Sequence, residues 1–261
     1  MITSEKNSKI QWVKALISLS KERKNSSAFV VEGVRLLEDA IQSNFFPKIV
    51  LYSGNLSERG LTLVDKFRDK QVPVEEIPTP LMNKIADTET PQGILGVISI
   101  RPDVSLPQDL NFVLICDAIR DPGNLGTILR TAASAGVQIV FIGPDTTDPY
   151  APKVVRSAMG AHFHIPLLKL SWPEIQTACL QRNKPLTINL ASADAPLVYW
   201  KTNFSKPTAI IIGNEADGPG TQAISMADHQ LAIPMPGNTE SLNAAIAAGI
   251  LLYEVVRQRC K

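Results

Sequence analysis

Apolar residues along the chain alternate between two rhythms, a helical period near 3.6 and short unbroken runs, and that alternation sets the expected fold. Between about Ser8 and Leu19, residues Ile10, Val13, Leu16 and Ile17 share one helical face, and the polar stretch KERKNSS is expected to end this helix. AFVVEG reads as a short strand, VRLLEDAIQSN as a helix with Val34, Leu37, Ala40 and Ile41 inward, and KIVLYSG as a buried strand. LTLVDKFRDKQ is expected to be helical, VPVEEIP a strand, LMNKIAD a helix and GILGVISI a closing strand. Residues 1–100 thus predict a small α/β layer domain.

RPDVSLPQDL, with Pro102 and Pro107 and little apolar content, is the best linker, over 101–110. A second α/β series fills 111–261. FVLIC, QIVFIG, PLTINLAS, TAIIIG and QLAIP read as strands. LGTILRTAASAG (with Gly136 as its C-cap), PKVVRSAMGA, WPEIQTACLQR and SLNAAIAAGILLYEVVRQRC read as helices. Strands that are apolar throughout, without alternation, predict a parallel sheet covered on both faces. No internal repeat or low-complexity segment interrupts the pattern.

Composition narrows the class. A length of 261 residues exceeds what one typical core needs, which supports two domains. No apolar run reaches eighteen residues, so no membrane span is expected, and the N-terminal stretch lacks the apolar block of a secretory signal. Cys116, Cys179 and Cys260 stand apart, with neither a C-x-x-C nor a Cys/His cluster. They read as reduced thiols of a cytoplasmic protein without a metal. A net charge of +1 decides nothing about nucleic acid. Residues 1–24, however, carry Lys6, Lys9, Lys14, Lys21, Arg23 and Lys24 against Glu5 and Glu22. That is a basic surface suited to phosphates, or simply a solvated helical face.

Three segments combine a strand end with polar or glycine-rich loops. In DAIRDPGNLGTILRTAASAG, residues 117–136, a loop opens a helix beyond a strand's carboxyl end, where α/β folds place ligands. Asn124 there offers a donor and an acceptor, and Arg130 lies beside the loop amides, an arrangement suited to phosphate or ribose. In IIIGNEADGPG, residues 210–220, Gly213, Gly218 and Gly220 allow close backbone approach around the acid Glu215. On its own this segment reads equally as a β-turn. In IPMPGNTESLNAAIAAGILLYE, Ser241 and Asn243 sit at a helix start, to cap it or to face a ligand. The small residues Ala244, Ala245, Ala247, Ala248 and Gly249 let another element approach closely.

In this order, the segments closely resemble the SpoU (TrmH-like) family of RNA ribose 2′-O-methyltransferases, in the SPOUT superfamily. The first family motif matches Asp117, Asp121, Pro122, Asn124, Gly126, Ile128 and Arg130–Thr131–Ala132; the second corresponds to residues 213–218; the third runs from Ile233 to Asn243. FVVEGVRLLEDAI and TPQGILGV look like the family's L30e-like substrate-binding domain. The sequence departs from the second motif at Asn214, Ala216 and Pro219. The resemblance implies an α/β knotted methyltransferase domain behind a smaller L30e-like domain. It implies S-adenosylmethionine as cofactor, with Gly213, Ile233, Leu242, Met235 and Asn243 around it. It implies catalytic roles for Arg130, Asn124, Glu215, Ser241 and Asn243, and a homodimer with Tyr253 and Arg257 at the interface rim.

The family assigns Arg130 to activating the 2′-hydroxyl. Because guanidinium groups hold their protons, a phosphate contacted by Arg130 is the more defensible acceptor. The front domain points to large-subunit ribosomal RNA, with transfer RNA as the alternative substrate and a catalytically silent RNA-binding protein as the alternative class. His162 and His164, flanking an expected strand in AHFHIP, read as packing residues. A dinucleotide-binding oxidoreductase and a serine hydrolase lack their signatures here, G-x-G-x-x-G and G-x-S-x-G.

Overall fold

The computed structural model describes residues 1–101, 105–214, 218–237 and 240–260. The chain forms two compact units, one of Met1–Asp103 with Tyr150–Phe163, the other of Val104–Pro149 with His164–Lys261.

The first unit begins with α1 (Ser8–Ser18) and α2 (Ser20–Ser26), followed by β1 (Ala28–Glu32), α3 (Val34–Gln42) and β2 (Ile49–Ser53). It continues through α4 (Glu58–Asp69), β3 (Val74–Ile77), α5 (Thr79–Ile85) and β4 (Ile94–Ser99). The sheet order is β1-β4-β2-β3, with β4 antiparallel to both neighbours and β2 parallel to β3. Phe29, Leu37, Val50 and Phe67 form the core on one face, and Ile10, Leu16, Leu51 and Met82 on the other.

This unit differs from the expectations at several points. The polar stretch after α1 is a second helix, because Arg23 turns inward. Its guanidinium is buried and donates to the carbonyls of Leu16 (2.6 Å) and Ile17 (3.1 Å), satisfying the open end of α1. Arg23 is therefore not part of a basic surface. The PKVVRSAMGA helix (Pro152–Ala158, α7) and the following turn belong to this unit, although their sequence lies inside 111–261. Val155 and Phe163 join the cluster around Phe29, and burying those side chains outweighs sequence position. The turn Ala161–Phe163 is a short 3₁₀ helix, not the edge of a strand, and the His162 ring packs against Phe29 and Tyr150.

The second unit contains β5 (Phe112–Cys116), α6 (Pro122–Ser134), β6 (Ile139–Ile142), β7 (Leu167–Lys169), α8 (Trp172–Leu180) and β8 (Thr187–Ala191). Then come β9 (Leu197–Val198), β10 (Thr208–Ile212), α9 (Thr221–Met226), β11 (His229–Ala232) and α10 (Ala244–Arg259). Seven strands in the order β7-β6-β5-β10-β8-β11-β9 pair in parallel throughout. Every residue of β5, β6 and β10 is buried, as a sheet covered on both faces requires. Ile175 and Cys179 of α8 and Ala223 of α9 cover one face together with Val113, Phe141, Ile188 and Ile211. Helices α6 and α10 pack on each other, and α10 packs against β10. The linker is shorter than its sequence suggests, because Leu106 packs on the second unit's core and Leu110 is buried in it. Pattern reading missed β7, β9 and α9, which are too short to display a period.

Candidate functional site

The carboxyl ends of β5, β10, β8 and β11 converge on one end of the second sheet, the position at which open parallel sheets bind ligands. A cavity there is walled by the loops after β8, β10 and β11 and by the first turn of α10. Gly213, Ile233, Met235 and Leu242, read from sequence as cofactor contacts, all line it, as does Ser241. Asn243, Asn124 and Arg130 are not on its wall, and Glu215 and Ala216 lie outside the described residues.

The wall is suited to a flat heterocycle. Its described side chains are mainly aliphatic, including Ile212, Leu231 and Ala247, and the polar ones (Ser192, Asn214 and Ser241) carry no charge. Such a surface recognises a ring through apolar contact and backbone groups. Gly213 is built for close approach: a Cβ there would lie 3.2 Å from Pro219 Cα, so the two backbones pass without a side chain between them. Pro219, a departure from the family motif, thus forms part of the wall.

Sequence reading missed Ala191, Ser192 and Ala193, which close the cavity from the end of β8. The available signal was a parallel strand ending in small residues. The small residues of α10 have divided duties. Ala244 and Ala247 face the cavity, while Gly249 lies alongside Thr131 of α6, so the closely approaching element comes from the same chain.

Asn243, not Ser241, is the N-cap of α10. Its Oδ1 accepts from the amides of Ala245 (2.9 Å) and Ile246 (3.3 Å). That orients the amide group, whose Nδ2 donates to Asn124 Oδ1 at 2.9 Å. Two asparagines 119 positions apart in sequence are therefore joined beside the cavity, with the carboxamide of Asn124 oriented by α10. With Asn243 capping, Ser241 is left on the cavity wall.

Asn243→Ala should lower unfolding stability by about 1–2 kcal/mol through loss of the cap, read by urea denaturation. Asn243→Asp keeps the cap and should hold stability near wild type. It loses the donor to Asn124, so its turnover should fall.

Helix α6 begins at Pro122, and the Asp121 carboxylate accepts from Asn124 N at 2.7 Å. This first turn therefore already has an acid at its positive end, and the Asn124 amide is taken by that acid. Arg130 lies further along α6, exposed, with its carbonyl accepting from Ser134 Oγ (3.0 Å) and its side chain making no hydrogen bond or ion pair among the described residues. Its guanidinium is available to an anionic ligand. The two buried thiols offer no competing chemistry, because burial pushes Cys116 and Cys179 up to about 12. Among the described residues, no three His, Cys, Asp or Glu side chains are placed to hold a metal ion, and no helix is long and apolar enough to cross a membrane.

Comparison with known proteins agrees with this geometry. The model of the SpoU rRNA methylase family matches residues 111–253, and that of the MRM3-like substrate binding domain matches residues 7–96. A 23S rRNA (guanosine(2553)-2′-O)-methyltransferase of Bacillus subtilis is 33% identical, over 97% of this chain and 98% of its own length. A 23S rRNA (uridine(2479)-2′-O)-methyltransferase of Streptomyces viridochromogenes is 30% identical, over 99% of this chain and 92% of its own. The crystal structure of an AdoMet-bound rRNA methyltransferase from Sinorhizobium meliloti superposes with a TM-score of 0.87 at 29% identity. That match covers 100% of this chain and 98% of the other.

Proposed function

This chain belongs to the SpoU rRNA methylase family and is an S-adenosylmethionine-dependent 2′-O-methyltransferase of ribosomal RNA; we propose that it holds the cofactor in the cavity bounded by β8, β10, β11 and α10. The observation that carries this placement is the convergence of Gly213, Ile233, Met235 and Leu242, from two distant segments, on one uncharged wall. The resemblance places a trefoil knot here, and the out-of-sequence strand order β10-β8-β11 supports that reading.

When bound, S-adenosylmethionine supplies a methyl group on a positively charged sulfur; the ribose oxygen bonds to the methyl carbon, the carbon–sulfur bond breaks and a neutral thioether leaves. Displacement of this kind depends on alignment and on removal of the hydroxyl proton. Asn124, oriented by Asn243, and Ser241 on the wall position the ribose. The resemblance gives Glu215 a role in holding loop or substrate geometry. Arg130 binds the phosphate next to the reacting ribose, and a phosphate oxygen takes the proton or relays it to water.

The working form is a homodimer. Ile246 and Tyr253 of α10 are 55% and 50% exposed, and with Ile250 they form an apolar stripe at helical spacing. Arg257 is held at its edge by a two-bond pairing with Glu254, whose carboxyl that guanidinium keeps below its ordinary range. In the dimer Arg130 reaches the partner's cavity, in keeping with its position off the wall of its own. Residues 1–100 of the first unit are the L30e-like domain that grips structured RNA, and the free thiols, Cys116 and Cys179 buried and Cys260 exposed, suit the cytoplasm.

Mapping of 2′-O-methyl groups across total RNA, with and without this protein, tests the reading. One ribose of large-subunit ribosomal RNA should lose its methyl group in the deletion. Loss confined to transfer RNA would overturn the substrate, and no loss anywhere would overturn the activity.

A further inference from the structure

Asp117 is absent from the cavity wall, yet it grips both ends of the segment that forms part of it. Its backbone N–H donates to the Ile212 carbonyl at 2.9 Å, where β10 ends. Its carboxylate Oδ2 accepts from Gly220 N at 3.0 Å, where α9 begins. Between those points lie Gly213, Asn214, Gly218 and Pro219, all on the cavity wall. Asn214 and Gly218 pair with each other as an isolated bridge, and the flanking Ile212 and Gly220 both meet Asp117.

The clamp has little slack. Asp117 is buried, with 5% of its surface exposed, so its carboxylate has little access to water as an alternative partner. A Cβ on Gly220 would lie 3.2 Å from Oδ2, so this position is close-fitted to the carboxylate. The strand end beneath is anchored as well, because the Cys116 carbonyl accepts from Gly143 N (2.9 Å) and from Thr146 Oγ1 (3.0 Å).

We propose that Asp117 is a positioning residue for the cofactor, stapling Gly213–Asn214 and Gly218–Pro219 onto the cavity wall and so setting affinity for S-adenosylmethionine without touching it. The inference rests on the cavity being the cofactor site. If Gly213–Asn214 and Gly218–Pro219 leave the wall, apparent affinity falls by the fraction of molecules that keep the wall intact. Losing a buried hydrogen bond to a charged acceptor shifts such an equilibrium by about 10- to 100-fold.

The test compares the full-length wild type, Asp117→Ala and Ala247→Trp by calorimetric binding of S-adenosylmethionine and by steady-state kinetics. Asp117→Ala should weaken binding about 10- to 100-fold and raise KM for the cofactor correspondingly, with kcat at saturation within about 3-fold of wild type. A purely structural role would lower the melting temperature and leave KM unchanged, and folded Asp117→Ala with wild-type affinity overturns the proposal. Amide exchange of the unmutated protein supplies a reading that needs no variant. The Gly220 N–H should be protected, and exchange at the rate of an open loop would overturn the staple. Ala247→Trp separates the two ideas, since undiminished cofactor binding by that variant removes the cavity assignment itself.

Discussion

Arg130→Lys should lower kcat by about 10²- to 10³-fold, the scale of losing one oriented charge at a reacting centre, while the S-adenosylmethionine dissociation constant stays within about 2-fold of wild type. The split follows from position. Arg130 is exposed on α6 and contributes nothing to the cavity wall, so the cofactor site should not register the change. Lysine keeps the charge but loses the planar fork that grips two phosphate oxygens together. Single-turnover methylation of ribosomal RNA, with cofactor binding measured separately, checks both halves. Undiminished turnover would remove Arg130 from the mechanism.

The same residue tests the assembly. Arg130→Ala subunits mixed with cavity-blocked Ala247→Trp subunits should recover activity if each guanidinium serves the partner's cavity. In a symmetric dimer about half the mixed molecules are heterodimers with one complete site, so about a quarter of wild-type activity is expected. If Arg130 serves its own subunit, every site lacks either an arginine or a cavity, and the mixture stays inactive.

Ala247→Trp by itself should weaken S-adenosylmethionine binding by more than about 100-fold, because an indole on the first turns of α10 fills space that a ligand ring needs. Ala247 is on the cavity lining and not in the packed interior, so the cost to stability should be no more than about 1–3 kcal/mol, typical of overpacking. Calorimetric titration alongside thermal unfolding separates the two effects. Wild-type affinity in this variant would place the cofactor elsewhere.

Several features were legible without coordinates because they are local. The fully apolar runs FVLIC and TAIII announced strands buried on both faces, and every one of their residues is buried. The turn at Gly136 (φ +74°) follows α6 as expected. Gly213, Ile233, Met235 and Leu242, which come from two distant segments, are legible only through the family motifs, and all four line one cavity.

What escaped sequence reading is non-local. Nothing in KERKNSS shows that Arg23 turns inward to close α1, because the carbonyls it satisfies become available only when that helix ends against it. The choice of Asn243 over Ser241 as the cap depends on where α10 starts, and that start places its amide within reach of Asn124 on α6. The wall from Ala191 to Ala193 and the hold of Asp117 on Gly220 arise because β8 and β10 are neighbours in the sheet and β5 lies on the far side of β10. The sequence by itself determined the alternation of elements and the burial of the strands, since each depends on residue type and near-neighbour spacing. Tertiary structure alone decided which polar groups face one another, because a hydrogen bond between residues 103 positions apart exists only after the strands that carry them have packed side by side.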